Sequence, residues 1–227
     1  MRRGSAPLSD SSTSRRGPTG RPISGHAFCT SGTMTGAMTD RPPPGKAPTD
    51  ARNLADLDEL PLLDWDSIAV RLEEGVSQAP GSGGPDRHTC WLATLNPDGS
   101  PHVTGVGALW VDDTFWFETG EHTRKGRNLA RDPRCTLSLA THAFDLVVEG
   151  SAEQVRDTDT VTTMAKRWNA QGWPARVDES GAALTAEFSA PSAGPPPWVV
   201  YRMTLDRATA LQTVEPGGAT RWRFRSV

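Results

Sequence analysis

The sequence predicts a mainly β protein, an antiparallel barrel that is closed or nearly closed and carries a few short helices. Apolar and polar residues alternate in short runs from Thr89 to the C-terminus. Clusters of Gly, Pro, Asn and Asp separate these runs as tight turns. The runs do not alternate with long helices, and no GxGxxG motif follows a strand. Both observations argue against a parallel dinucleotide-binding sheet and favour a barrel.

Residues 1–57 are predicted to be a disordered extension, and residues 58–227 to be the folded domain. The extension is rich in Ser, Thr, Gly and Pro and has no periodic apolar pattern. It therefore cannot bury enough apolar surface to offset its ordering entropy. No apolar run follows its Arg2–Arg3 pair, which argues against an export signal. No later run approaches the roughly 20 apolar residues of a membrane span, so we expect a cytoplasmic protein without a membrane partner.

The first predicted element of the domain is an amphipathic helix in DWDSIAVRLEEGV, which Asp64 or Asp66 can cap. Its apolar residues recur at spacings of three and four and are Trp65, Ile68, Ala69, Leu72 and Val76. Three antiparallel strands joined by tight turns follow. The strands are residues 89–95, 101–111 and 114–119, and the turns are NPDG and the Asp112–Asp113 pair.

The basic segment HTRKGRNLARDPR, residues 122–134, is predicted to form one short helix. The helix stops before Pro133, because proline disfavours the helical conformation in the residue before it. Gly150 interrupts a later strand, where we expect a bulge or a bend. The remaining predicted elements are the strand pair 134–141 and 144–157, a helix at 159–169 and the closing strands 197–214 and 219–224.

The cysteines Cys29, Cys90 and Cys135 form no CxxC pair and have no histidine cluster nearby. The sequence therefore predicts neither a metal site nor a disulfide framework. Cys90 and Cys135 lie in apolar runs, and we expect both to be small buried apolar residues.

The basic segment concentrates positive charge in a chain whose net charge is -3. Thr123 is predicted to cap the helix, with its hydroxyl and the first-turn amides pointing outward. Arg124 and Lys125 add cations where the helix dipole is already positive, which favours a bound anion such as phosphate. The alternative is a solvated helix face that pairs with surface carboxylates. It suits Arg131 and Arg134, near the helix end, better than Arg124 and Lys125.

The order TFWFET, GEH, TRKGRNLARDPRCTLSL and VVEGSAE resembles the pyridoxamine 5'-phosphate oxidase-like superfamily of FMN-binding split β-barrels. This superfamily includes oxidoreductases that use the deazaflavin coenzyme F420. The resemblance covers roughly residues 60–227 and is strongest over 115–155. It implies a six-stranded antiparallel split β-barrel of Greek-key type. It also implies a homodimer that holds two cofactors in clefts at the subunit interface.

The resemblance assigns the cofactor phosphate to the Thr123–Lys125 step. It places Val106, Gly107 and Ala108 beside the flavin ring and Phe117, Glu118 and Thr119 along the ribityl chain, and it brings Arg221 or Trp222 from the partner subunit. Because alternate strand residues face opposite ways, we prefer Arg221, with Trp222 in the core. Gly107 has a reason of its own, since a strand without a side chain lets a flat ring approach closely; a glycine at a barrel bend explains it equally well. The predicted cofactor-binding residues are Thr123, Arg124, Lys125, Asn128, Val106, Gly107, Ala108, Phe117, Thr119 and Arg221, and Glu118 lies among them.

One departure from the family pattern bears on the reaction. Pyridoxamine phosphate oxidases carry Arg-Leu-His-Asp in the closing segment, whereas TRWRF lacks the histidine and the aspartate, so the sequence does not favour vitamin B6 oxidation. A heme-binding branch needs a histidine ligand, but the available histidines lie near strand ends or turns. A non-catalytic flavin or heme-binding protein stays as an alternative.

Of the 24 basic residues only Lys46, Lys125 and Lys166 are lysines, which suggests a high-GC genome. In such genomes this superfamily is rich in F420-dependent members, and Arg127 and Arg131 can meet the glutamate tail of that coenzyme. We therefore expect hydride transfer between reduced F420 and a small flat unsaturated or quinone-like substrate, with FMN as the alternative cofactor. No catalytic side chain is predicted; the proton comes from solvent or from a histidine such as His102. A nucleic-acid partner is not expected, because the folded part is acidic and the cations occupy one helix.

Overall fold

One antiparallel sheet of nine strands dominates the computed structural model, which describes residues 47–75 and 89–224. Its strands are β1 (Asp50–Asn53), β2 (Cys90–Leu95), β3 (Pro101–Val106), β4 (Ala108–Val111), β5 (Thr114–Thr119), β6 (Arg134–Ala140), β7 (Phe144–Val155), β10 (Val199–Gln212) and β11 (Ala219–Arg223). β8 (Arg176–Val177) and β9 (Leu184–Thr185) form a separate pair. The helices are α1 (Trp65–Glu73), α2 (Arg124–Arg131) and α3 (Thr158–Ala170), with short 3-10 turns at Asp56–Asp58 and Pro191–Ala193.

The strand order is β1-β11-β10-β7-β6-β2-β3, and β5 branches from β10 to pair with β4. β10 is long enough to serve three neighbours, because its first residues pair with β5 while its later residues pair with β11. β7 pairs along its whole length. This mainly antiparallel architecture with a few short helices is the predicted fold class, and it agrees with a split barrel.

The predicted strand 101–111 is divided at Gly107. β3 pairs with β2, whereas β4 pairs with β5, so the chain changes its sheet partner at this residue. The prediction of three consecutive hairpin strands is therefore wrong, and four strands form two hairpins. Glycine permits this change of direction, because it has no side chain that must pack against either set of neighbours.

The predicted turns are present. Asp112 and Asp113 both have positive φ, 50° and 58°, which Asp tolerates better than most residues. Gly99, in the NPDG turn, has φ 81°. Opposite Gly150 the register shifts between Leu205 and Arg207, so the irregularity predicted at Gly150 is found in the partner strand, where Asp206 is the extra residue.

The sheet begins earlier in the chain than the predicted domain start at residue 58. β1 pairs with β11 over four residues, and Leu54 N–H donates to the Ala219 carbonyl at 2.8 Å. The sequence of β1, DARN, has no apolar alternation. This edge strand is held by backbone hydrogen bonds to β11 instead. The predicted disorder of residues 1–46 lies outside the described residues, as does Cys29.

Side-chain caps begin α1, at one of its two predicted caps, and α3, for which no cap was predicted. Asp64 accepts a hydrogen bond from Ser67 N–H at 3.1 Å at the start of α1, and Asp157 caps α3 through Thr160 N–H at 2.9 Å. The α3 residues that are buried are Val161, Met164, Ala165 and Trp168, the face that the sequence predicts. No helix in the described ranges has the length and apolar character to cross a membrane.

Two apolar clusters pack on opposite sides of β5. Phe115 and Phe117 belong to the larger cluster inside the sheet, whereas Trp116 packs against α3 in the smaller one. All six β5 residues are buried, because each face of the strand is covered. β5 therefore leads the chain from the interior directly to the start of α2, and this is what positions the site. Cys90 and Cys135 are buried as predicted, and burial raises the pKa of both thiols to about 12.

Candidate functional site

Thr123 caps α2 as predicted. Its Oγ1 accepts a hydrogen bond from Gly126 N–H at 3.1 Å and donates to the Gly120 carbonyl at 2.8 Å. The hydroxyl also lies 3.0 Å from Thr119 Oγ1. One hydroxyl has one donor and two acceptor positions, so these contacts use all of them. The predicted outward orientation of this hydroxyl is therefore wrong, because the turn before the helix already satisfies it.

Gly126 lets the start of α2 press against the preceding turn. A Cβ built on this residue would lie 2.5 Å from the Gly120 carbonyl oxygen and 2.9 Å from that of Glu121. No side chain fits there without a backbone shift. The sequence reasoning missed this residue, although a glycine in the first turn of an eight-residue helix is itself a sign of close backbone approach.

Arg124 projects from the first turn of α2 into solvent. No described residue accepts a hydrogen bond from its guanidinium, nor from the backbone N–H groups of Arg124 and Lys125. Its charge nevertheless acts on its neighbours. Hydrogen bonds with Ser100, and to a smaller extent Arg124, lower the pKa of Asp98, while burial and then Arg124 lower the pKa of His102. Free N–H groups, the positive end of a helix and a planar cation together form an anion-binding surface.

Lys125 does not share this environment. Its side chain is 2% exposed, and its Nζ donates to the Ser192 carbonyl in the 3-10 turn Pro191–Ala193. The prediction that Lys125 stands beside Arg124 at the open helix start therefore does not match the structure. The reason is long-range: the chain around Ser192 covers this side of the helix and supplies an acceptor. Burial lowers the pKa of Lys125, and the nearby Glu118 carboxylate opposes that effect.

Glu118 is the most unusual residue near the site. It is 7% exposed, and its Oε2 has no hydrogen-bond partner in the described part of the chain. Burial raises its pKa to about 7, while Lys125 and a hydrogen bond from the Ser189 side chain pull it down. A buried acid of this kind beside a buried lysine is a functional-site signal.

Asn128 fastens α2 to the sheet. Its Nδ2 donates to Thr94 Oγ1 at 3.1 Å and to Asn96 Oδ1 at 3.2 Å. Because Asn128 is buried, these bonds satisfy a group that would otherwise be costly to bury. Asn128 thus lies in the motif where it was predicted, but its visible contacts hold the helix in place.

The other cations of α2 and its end are bound locally. Arg127 donates to the His122 carbonyl, and Arg131 to the Leu95 carbonyl. Arg134 forms an ion pair with Asp132 at 2.6 Å. The surface-pairing interpretation is therefore confirmed for Arg134, whereas Arg127 and Arg131 contact backbone oxygens. All three remain exposed.

The residues predicted beside the flavin ring lie at the β3–β4 junction. Val106 and Ala108 are buried, whereas Gly107 is half-buried. A Cβ on Gly107 would meet no atom within 4 Å. Open space beside a bare backbone is what close approach of a flat ring requires.

The residues predicted along the ribityl chain point inward. Phe117 is fully buried and stacks on Tyr201, with ring centroids 5.2 Å apart and planes at 4°. Thr119 is fully buried and contacts Thr123. Their side chains therefore support the floor of the site, because β5 is covered on both faces.

Arg221 lies on β11, between β1 and β10, and the structure does not bring it to α2 within one chain. It is exposed and donates to Thr209 Oγ1 at 3.4 Å. Trp222 is 1% exposed in the core, as expected from strand alternation. An Arg221 contact with the cofactor thus requires a second subunit.

This arrangement defines a class: a mainly antiparallel β protein in which a capped helix presents an arginine and amides without acceptors among the described residues, and in which the strand junction at Gly107 is open. The profile of the pyridoxamine 5'-phosphate oxidase family matches residues 84–211. The chain therefore belongs to this family of flavin-binding oxidoreductases.

Individual similarities are distant. The chain is similar to a pyridoxine/pyridoxamine 5'-phosphate oxidase of Acidothermus cellulolyticus, with 29% identity over 159 residues, 62% of this chain and 71% of that protein. It is similar to a pyridoxamine 5'-phosphate oxidase-related, FMN-binding protein of Nostoc punctiforme at 18% identity, over 70% of this chain and 91% of that one, with a TM-score of 0.44. It is also similar to an F420 reductase structure at 20% identity, over 53% and 87% of the two chains, with a TM-score of 0.37.

Proposed function

We propose that this protein is an F420-dependent oxidoreductase that transfers hydride between reduced F420 and a small flat unsaturated or quinone-like substrate. FMN is the alternative cofactor within the same site. The observation that carries the proposal is the start of α2, where the exposed Arg124 guanidinium and two backbone N–H groups have no acceptor among the described residues. A cofactor phosphate is the anion that this family places at such a step.

The remaining geometry fits a flavin-like cofactor. The open space at Gly107 suits the edge of a flat ring. The bound cofactor supplies the hydride-carrying carbon, and the protein orients and desolvates it. The chain itself then holds the phosphate with Arg124 and the first-turn amides, while Asn128 keeps α2 against β2.

A proton for the substrate comes from solvent or from His102. This residue lies on β3 and is half-buried. Burial, and then the positive charges of Arg124 and Lys125, lower its pKa. The lowered pKa favours the neutral form of His102, whose ring can donate from one nitrogen and accept at the other.

The site is completed by a second subunit in this proposal. Trp91, Val103 and Val147 lie on the same outer face of β2, β3 and β7 and are 51%, 55% and 39% exposed. Exposed apolar side chains clustered on one sheet face are typical of a protein interface. A homodimer through this face brings Arg221 of the partner subunit toward the cofactor.

The test is equilibrium titration of the purified protein with F420 and with FMN, followed by fluorescence. We expect F420 to bind more tightly than FMN, and Arg124→Gln to weaken binding of the preferred cofactor by about 10- to 100-fold, because a charge-assisted phosphate contact contributes about 1.5–3 kcal/mol.

The matched control is Arg134→Gln, which removes another exposed arginine, one that pairs with Asp132. It should leave the affinity within about twofold. Equal losses in the two variants, or no binding of either cofactor to the wild-type protein, would reject the proposal. Comparable weak binding of both cofactors would reject the F420 assignment.

A further inference from the structure

Residues 189–194, which we call the strap, lie across the start of α2. They are tied to β3, to the residue that follows β5 and to α2 itself. The contacts are Ser192 Oγ donating to the Gly105 carbonyl at 2.9 Å, Gly120 N–H donating to the Ala193 carbonyl at 2.9 Å, and Lys125 Nζ donating to the Ser192 carbonyl. The strap thus covers the side of the helix on which Lys125 lies.

The charges of Glu118 and Lys125 act on the pKa of each other. Both side chains are buried, and each lowers the cost of keeping the other charged. They form no ion pair within 4 Å, and one carboxylate oxygen of Glu118 keeps no partner in the described ranges. An incompletely satisfied charge in the interior is costly. Lys125 is held there by the Ser192 carbonyl and by the negative charge of Glu118.

The side-chain ammonium of Lys125 also has a second position within reach. Its backbone is in the first turn of α2, next to Arg124, and a lysine side chain has a flexible four-carbon stem. If its Nζ leaves the Ser192 carbonyl, the ammonium can reach the open helix start, where a phosphate is expected. The charge of Glu118 opposes that movement.

We propose that Glu118 is a positioning residue that competes with the cofactor phosphate for the Lys125 ammonium. This inference rests on the proposed function for the identity of the anion. In the structure Lys125 Nζ donates to the Ser192 carbonyl of the strap; when an anion binds at the start of α2, Lys125 joins Arg124 there. Glu118 therefore lowers the affinity of the site for anions, and a ligand must offer enough negative charge to draw the lysine out.

The test removes the charge of Glu118 and measures binding of inorganic sulfate by titration calorimetry at about pH 8. Sulfate carries the same charge throughout the useful pH range, so its own titration does not enter. We expect Glu118→Gln to bind sulfate about tenfold more tightly than the wild-type protein. A residue with a purely structural role would weaken binding when replaced, so a gain is the distinguishing result.

Two comparisons make the result specific to Lys125. In a Lys125→Met background the gain from Glu118→Gln should disappear, because the competing ammonium is absent. Glu121→Gln removes one negative charge from the same turn, where Glu121 pairs with Arg156 at 2.5 Å instead of facing Lys125. It should give a clearly smaller gain. A loss or no change in Glu118→Gln, or a gain that persists in the Lys125→Met background, would overturn the proposal.

Folding is not expected to obscure the test, because burial disfavours the charged form of Glu118 and glutamine has the same shape. Glu118→Leu, with an apolar side chain of similar size, should show the same gain. The two proposals also fail separately. A sulfate gain in a protein that binds neither F420 nor FMN supports the competition and rejects the cofactor. Arg124-dependent cofactor binding without a sulfate gain supports the cofactor assignment and rejects the competition for Lys125.

Discussion

Two adjacent residues, Arg124 and Lys125, carry the same charge in opposite surroundings. Arg124 is exposed and without an acceptor in the described part of the chain, whereas Lys125 is buried and bonded to Ser192. Successive helix residues point about 100° apart, so the covering strap reaches only one of them. A single residue's role in this motif is therefore decided by what lies over the helix, not by its charge.

Gly126 and Gly107 form a matched pair for substitution by alanine. Gly126→Ala drives a Cβ against the Gly120 carbonyl, so we expect a loss of about 1–3 kcal/mol in the free energy of unfolding. Gly107→Ala meets nothing within 4 Å and should change that free energy by less than about 0.5 kcal/mol. Denaturant titration measures both.

Gly107→Ala should nevertheless weaken cofactor binding, because the added methyl group occupies the space beside the ring. Fluorescence titration checks this on a folded variant. If Gly107→Ala binds the cofactor as well as the wild-type protein, the ring does not approach this strand, and Gly107 serves only the change of direction between β3 and β4.

The buried carboxyl of Glu118 should make the free energy of unfolding depend on pH. Burial, its largest cause, raises the pKa of this carboxyl from 4.5 to about 7. The native state therefore binds the proton more tightly than the unfolded state. The stabilisation by the protonated form is complete below about pH 4.5 and is lost as the pH rises through about 7.

We expect the free energy of unfolding of the wild-type protein, relative to that of Glu118→Gln, to fall by up to about 3 kcal/mol between about pH 4.5 and 8. Comparing the two proteins removes the contribution of groups they share. Denaturant titrations at several pH values measure the difference. A constant difference across this range would mean that Glu118 titrates normally.

At the scale of elements, the sequence predicted what local signals determine. Asp64 and Thr123 cap their helices, as the sequence allowed, because a cap depends on the next three residues. The positive φ values of Asp112 and Asp113 likewise follow from a tight turn between two strands. These features could be predicted because their causes lie within a few positions of the chain.

Long-range packing decided the rest. The burial of Lys125 depends on Ser192, and that of Asn128 on Thr94 and Asn96. The division of residues 101–111 into β3 and β4 depends on which distant strands each one meets. β1 was missed because its DARN sequence lacks apolar alternation, although its backbone pairs with β11. None of these causes leaves a periodic pattern in the sequence.

For the whole molecule, the outer face of the sheet is where a second subunit is expected. Val103→Lys places a charge on that face, on its edge strand β3, and should shift the protein from dimer toward monomer. Leu57→Lys is the control, because Leu57 is 99% exposed and lies outside the sheet. Sedimentation equilibrium measures both.

If the cofactor lies at the subunit interface, cofactor affinity should fall together with dimerisation in Val103→Lys and stay unchanged in Leu57→Lys. A monomeric wild-type protein, or a Val103→Lys monomer that binds cofactor normally, would show that one subunit holds the complete site and that Arg221 has no part in it.

The most direct test of the central claim is a crystal structure of the protein with F420 or FMN bound. Our account predicts the phosphate at the start of α2, within hydrogen-bonding distance of the Arg124 guanidinium and the first-turn N–H groups, with the ring beside Gly107. A phosphate bound elsewhere, or a start of α2 that faces away from any cleft, would contradict it.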